Sequence, residues 1–150
     1  MVNDPLDMPA SGRFVGKEHR FPLRIYFEDT DLAGIVYYAN YLRYMERARS
    51  DMMGLVGVDQ RAEIERGGGA YVVADIRVKY RKPAKLDDAL LIVTRVARVR
   101  PASSFIHHQV MRGDELLVEA EVTAAFIAAD GRATRQPREW VALFEGYAGE

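Results

Sequence analysis

Asp29 and Asp31 stand on either side of Thr30, and Gly34 follows just before a long amphipathic helical pattern. A free aspartate titrates near pH ~3.9, so each is an anion at neutral pH, able to attack an acyl carbon or take a proton from water. The start of a helix supplies the complementary half of such chemistry. Its unpaired N–H groups and partial positive charge stabilise a carbonyl oxygen or an anion without a metal. Asp and Thr at this spacing also cap turns, and spacing alone leaves both readings open.

The elements that would position these residues are legible from periodicity. Residues 20–27 alternate, with Phe21, Leu23, Ile25 and Phe27 on one side, which predicts a first strand. Gly34 marks a turn, and a helix is expected to start between Val36 and Tyr41, with Asn40 as a candidate N-cap, and to end near Leu55. Tyr41, Met45, Ala48, Met52 and Leu55 form its apolar stripe, with Arg43, Glu46, Arg47, Arg49 and Asp51 on other faces. A short helical stretch over residues 58–66 leads into Gly67-Gly68-Gly69, expected as a flexible loop because no P-loop Lys follows. Period two then returns over residues 71–80, 89–99, 103–112 and 116–128, with Arg112-Gly113-Asp114-Glu115 as a hairpin turn and a closing helix after Pro137. Hairpin-joined strands pair antiparallel, so the chain reads as α+β. A five-stranded antiparallel sheet wrapped around one long central helix is the hotdog arrangement.

Composition removes several alternatives. The chain has 150 residues and no cysteine, which excludes a disulfide framework, a thiolate nucleophile and any Cys-based metal site. Twenty-one Lys and Arg against 22 Asp and Glu leave a formal charge of -1, no field to recruit nucleic acid. His107 and His108 are strand neighbours facing opposite sides, and His19 lies in what reads as a tail, so no metal site is expected. No G-x-S-x-G elbow is present either. Residues 1–18 read as a flexible N-terminal tail and 19–150 as a single domain. Without a signal-like or membrane-length apolar run, a cytoplasmic protein with no membrane insertion is expected.

The run from Arg24 to Arg49, RIYFEDTDLAGIVYYANYLRYMERAR, closely resembles the hotdog acyl-CoA thioesterases of the 4-hydroxybenzoyl-CoA type, especially the branch associated with the bacterial Tol-Pal envelope system. That resemblance implies hydrolysis of acyl-CoA thioesters to free acid and coenzyme A, with no cofactor and no metal, in a homodimer or homotetramer. It implies that Asp31 is the catalytic carboxylate, as nucleophile or as general base. The backbone N–H that polarises the thioester carbonyl falls on Tyr38, with Gly34 and Val36 beside it in the motif. Many Tol-Pal-associated members carry His where Tyr38 stands, so a backbone donor survives here and an imidazole does not. Arg98, Arg100, Arg132 and Arg135 are candidates for the coenzyme A phosphates, with solvated strand ends as the plainer reading. Envelope-system or acyl-carrier proteins are possible partners by the same resemblance. The competing functional reading is a non-catalytic acyl-CoA-binding or envelope-associated protein of the same fold. A hotdog dehydratase would want a His in the motif, and none is there.

Overall fold

Alternating apolar residues build the sheet that the sequence predicts, and one strand more. The computed structural model describes residues 3–149. A 3₁₀ turn at Pro5–Asp7 precedes strands β1 (Arg13–Val15) and β2 (Glu18–Arg24), and a second such turn covers Phe27–Asp29. Helices α1 (Asn40–Val56) and α2 (Gln60–Glu65) follow. Strands β3 (Ala70–Tyr80), β4 (Ala89–Val99), β5 (Ser103–Arg112) and β6 (Glu115–Ile127) come next, and α3 (Arg138–Glu145) closes the chain. The strands lie in the order β1-β2-β4-β5-β6-β3, every neighbouring pair antiparallel.

The sixth strand comes from the segment expected to be loose. Arg13 pairs with Arg20 and Val15 with Glu18 around a turn at Gly16, so residues 13–18 belong to the sheet. The expected first strand stops short, at Arg24. Beyond it the Asp29 carboxylate takes the Tyr26 N–H at 2.7 Å, which curls the backbone out of the sheet.

Helix α1 lies on the sheet through Tyr41, Met45 and Ala48, buried with Ile92, Val110 and Leu117, and through Met52, buried with Val96, Ile106 and Val122. Each such side chain contributes about 1.5–3 kcal/mol when fully covered. The buried face is wider than the expected stripe: Tyr44 and Arg49 are also inside, while Leu55 is exposed. Gly57, with φ near 97°, ends the helix, its N–H on the Gly54 carbonyl while the Val58 N–H reaches Met53. The Gly67-Gly68-Gly69 segment is more constrained than a flexible loop. A side chain at Gly69 would collide with the Ile127 carbonyl and the Phe126 ring, so glycine there permits a close approach to β6.

Strand β3 forms one open edge of the sheet. Val72, Val73 and Ile76 are exposed on it beside Asp75, Arg77 and Lys79, and the register slips between Val73 and Asp75. An edge with free N–H and C=O groups is a template for another strand. Among the described residues, no helix is long and apolar enough to cross a membrane.

Candidate active site

The Asp31 loop is held by its own backbone. The Asp31 N–H donates to the Ile35 carbonyl at 2.9 Å, and its carbonyl accepts from Gly34 at 3.0 Å. That closure places Gly34 at φ +80°, where a side chain would be strained. Asp31 Oδ1 accepts the Ala33 N–H at 2.8 Å, while no described residue donates to Oδ2, and the side chain is exposed. One carboxylate oxygen is anchored and the other is free.

Asp29 is used differently. Its carboxylate caps Tyr26, and its carbonyl accepts both the Tyr37 N–H and the Asn40 Nδ2–H at 2.9 Å each. Asn40 is therefore not the N-cap that its residue type suggests. It is the first helical residue, its side chain ties the helix to the acidic loop, and Ala39 at the cap position offers no side-chain acceptor. The start of α1 is left uncapped, and no described residue accepts the Tyr38 N–H. At many helix starts a Ser, Thr, Asp or Asn side chain at the cap position accepts an N–H from the second or third helical residue.

Tyr38 borders an open cleft of about 240 Å³ that it shares with Ile35, Val36, Tyr41, Tyr80 and Lys82. Val36 is buried and forms part of its wall. The Tyr80 hydroxyl donates to the Tyr38 carbonyl at 3.1 Å, so β3 holds the helix start from its far side. Tyr41 Oη accepts the Ala84 N–H at 3.0 Å, and burial pushes its phenol pKa up. The phenol of Tyr44 is raised too, by burial and by the nearby Asp29 carboxylate. These hydroxyls stay protonated at neutral pH.

The four candidate arginines are not brought to this cleft within one protomer. Arg98 and Arg100 lie at the β4–β5 connection, over the Phe105 ring at 4.5 and 5.5 Å. Arg132 follows β6 and approaches Asp130 at 3.9 Å, and Arg135 follows it. That is the opposite end of the sheet, about 33 Å away along an eleven-residue strand. The cations that do border the cleft are Arg81 and Lys82, which are absent from the candidates that residue type suggests. Their ion pairs, Arg81 to Glu119 at 3.1 Å and Lys82 to Glu115 at 3.2 Å, are solvent-exposed and so weakly held. A basic pair immediately before Pro83 is the one signal of them in the sequence.

A model of the thioesterase-like superfamily matches residues 25–143, a span that contains the loop, the helix start and the sheet. The chain belongs to that superfamily. An acyl-CoA thioesterase YbgC of Haemophilus influenzae is 37% identical over 107 residues, 71% of this chain and 79% of that protein. The acyl-CoA thioester hydrolase YbgC of an Escherichia coli strain is 39% identical over 104 residues, 69% and 77% of the two chains. Among solved structures, a mutant 4-hydroxybenzoyl CoA thioesterase complexed with 4-hydroxybenzoyl CoA superposes with a TM-score of 0.76. It is 29% identical, over 85% of this chain and 98% of that one. A probable thioesterase from Bartonella henselae gives 0.76 at 33% identity, over 80% and 99%. The fold is the hotdog, here with six strands.

In this member of the thioesterase-like superfamily the second half of α1 covers a buried polar layer. His19, expected in a tail, is on β2, fully buried, with Nε2 at 2.7 Å from Asp51 Oδ2, which also accepts the Gly12 N–H. His107 and His108 do face opposite ways. His107 meets Glu119 on the outer face at 3.1 Å, while His108 is buried between Arg49 and Thr94. Burial holds the His108 pKa well below the usual imidazole range, helped by the charge of Arg49 and then by His107 and His19. A folded-state pKa below the unfolded one means that the unfolded chain binds the proton first. Stability is then fully present above pH ~6.5 and falls below it. We expect the thermal midpoint to drop between pH 7 and pH 5, and His108→Gln to flatten that drop. An unchanged slope in the variant would assign the loss to other groups.

Proposed function

We propose that this chain hydrolyses acyl-CoA thioesters to a free acid and coenzyme A, with Asp31 as the catalytic carboxylate and the Tyr38 N–H as the oxyanion donor. The observation that carries this reading is a pairing. Among the described residues, a carboxylate oxygen without a partner and a backbone N–H without an acceptor stand on one loop and helix start of a thioesterase-superfamily fold. The named relatives, acyl-CoA thioesterases and thioester hydrolases, support the substrate class. Attack on the thioester carbon, by Asp31 Oδ2 or by a water it deprotonates, pushes an electron pair onto the carbonyl oxygen, where the N–H meets it. Collapse expels the coenzyme A thiolate. An oxyanion donor of this kind is typically worth about 3–4 kcal/mol.

A second copy completes the site in this proposal. Pairing β3 with β3 of another protomer about a two-fold axis runs the two sheets in opposite directions. Each chain's Arg98, Arg100, Arg132 and Arg135 end then comes toward its partner's Asp31 end, where coenzyme A phosphates need guanidinium groups. Arg81 and Lys82 reach the same cleft from within the chain. A thiol-release assay over short, long and aromatic acyl-CoAs tests the activity, and at least one ester class should turn over. Binding of a nonhydrolysable acyl-CoA with no thiol released from any ester would instead make the protein an acyl-CoA-binding module.

A further inference from the structure

Nine residues along α1 from its start, about 14 Å away, a cation is buried without an anion. Arg49 is 9% exposed, and among the described residues its side chain makes one hydrogen bond, from Nη1 to His108 Nε2 at 3.0 Å. His108 accepts there and its Nδ1–H donates to Thr94 Oγ1 at 2.9 Å, so the imidazole is neutral and offers no compensating charge. The field of Glu46, one turn earlier, is secondary to the burial acting on Arg49. A guanidinium has five N–H donors and does not give up its proton, so most of its capacity is unspent. Buried charges in folded proteins are ordinarily paired.

Arg49 is also on the wall of a cavity of about 50 Å³ between α1, the sheet and α3. Met52, Tyr71, Ser104, Ile106 and Phe144 share that wall, which is mostly apolar. The other polar groups are already engaged, since the Tyr71 and Ser104 hydroxyls both donate to Gln136 Oε1. Arg49 is thus the polar lining side chain with donors to spare.

We propose that this cavity binds a short-chain monocarboxylate, its carboxylate on the Arg49 guanidinium and its alkyl group against Met52, Ile106 and Phe144. A fork of N–H donors matches a carboxylate bidentately, and the apolar wall accepts one or two alkyl carbons without leaving a polar atom unpaired. The volume suits acetate or propionate, being only a few times that of a single water. Met52 in the wall, being flexible, can shift to admit the longer chain of propionate.

Trp140, the sole tryptophan, reads the cavity through Tyr71, a wall residue on which its ring stacks at 6.0 Å. The experiment titrates sodium propionate at constant ionic strength, against sodium chloride and propionamide, following Trp140 fluorescence and the thermal midpoint. A saturable response to propionate and none to propionamide is expected. Arg49→Met should weaken it by about tenfold or more, and Ala124→Leu, which fills the cavity and leaves Arg49 in place, should abolish it. Equal binding of propionamide, saturation by chloride alone, or an Arg49→Met protein that binds as tightly as the parent overturns the proposal. If Arg49→Met does not fold, undiminished binding in Ala124→Leu overturns it equally. No thioester is present in this titration, so its failure leaves the hydrolysis reading untouched.

Discussion

Asp31→Asn should lower kcat for acyl-CoA hydrolysis by about 10²–10⁴-fold while leaving KM within a few fold, because a neutral amide neither attacks the thioester nor takes a proton from water. Both mechanistic roles need the anion, so the loss does not depend on which applies. The substitution keeps the shape of the side chain, and the amide oxygen can still accept the Ala33 N–H that Oδ1 accepts now. Asp31 is exposed and makes no ion pair among the described residues, so the thermal midpoint should barely move. Thiol release and thermal unfolding on the same preparation separate chemistry from folding. Parent-level turnover in the variant would remove Asp31 from catalysis.

Asp31 stands out in the sequence as a candidate, whereas the contacts that surround it do so only in part, and the reason is the range of the interactions. A period of two is a local property, which is why β4, β5 and the Gly113-Asp114 turn fall where the pattern puts them. Gly34 in a positive-φ turn follows from residue type in the same way. Strand β1 has three residues and pairs only because β2 folds back on it, an arrangement that a three-residue pattern cannot announce. Arg49 and His19 defeat residue type for a related reason. Polar residues read as surface, and the partner each of these meets inside, His108 for Arg49 and Asp51 for His19, is more than thirty positions away in each case. Asn40 reads as a cap because Asn is a good one; the acceptor that claims its side chain is the Asp29 carbonyl, which residue type does not encode. The candidate arginines show a further limit. A strand-end cation can be recognised in a sequence, but which end of a sheet faces which site depends on pairing between chains.

Replacing Val72 and Ile76 together with lysine should therefore separate the protomers and abolish most of the activity without unfolding either one. Both side chains are exposed on the free edge strand, so in an isolated chain the change costs little. In a paired sheet the lysines and their copies would be gathered along the seam, one on each face because Val72 stands opposite Ala125 and Ile76 opposite Val122, replacing its apolar contacts with like charge. Sedimentation should show a single-chain species, and kcat/KM should fall at least about 100-fold if the coenzyme A arginines come from the partner, since each guanidinium–phosphate hydrogen bond is charge-assisted. Subunit mixing makes the cause explicit. Asp31→Asn protein and Arg132→Ala/Arg135→Ala protein should each be weak alone, yet recover about a quarter of parental activity when mixed equally, because half of the random dimers then hold one intact site out of two. Asp31 and the arginines of a single chain would give no recovery on mixing. Full activity in the single-chain lysine variant would place the whole site within one protomer and return the phosphate contacts to Arg81 and Lys82.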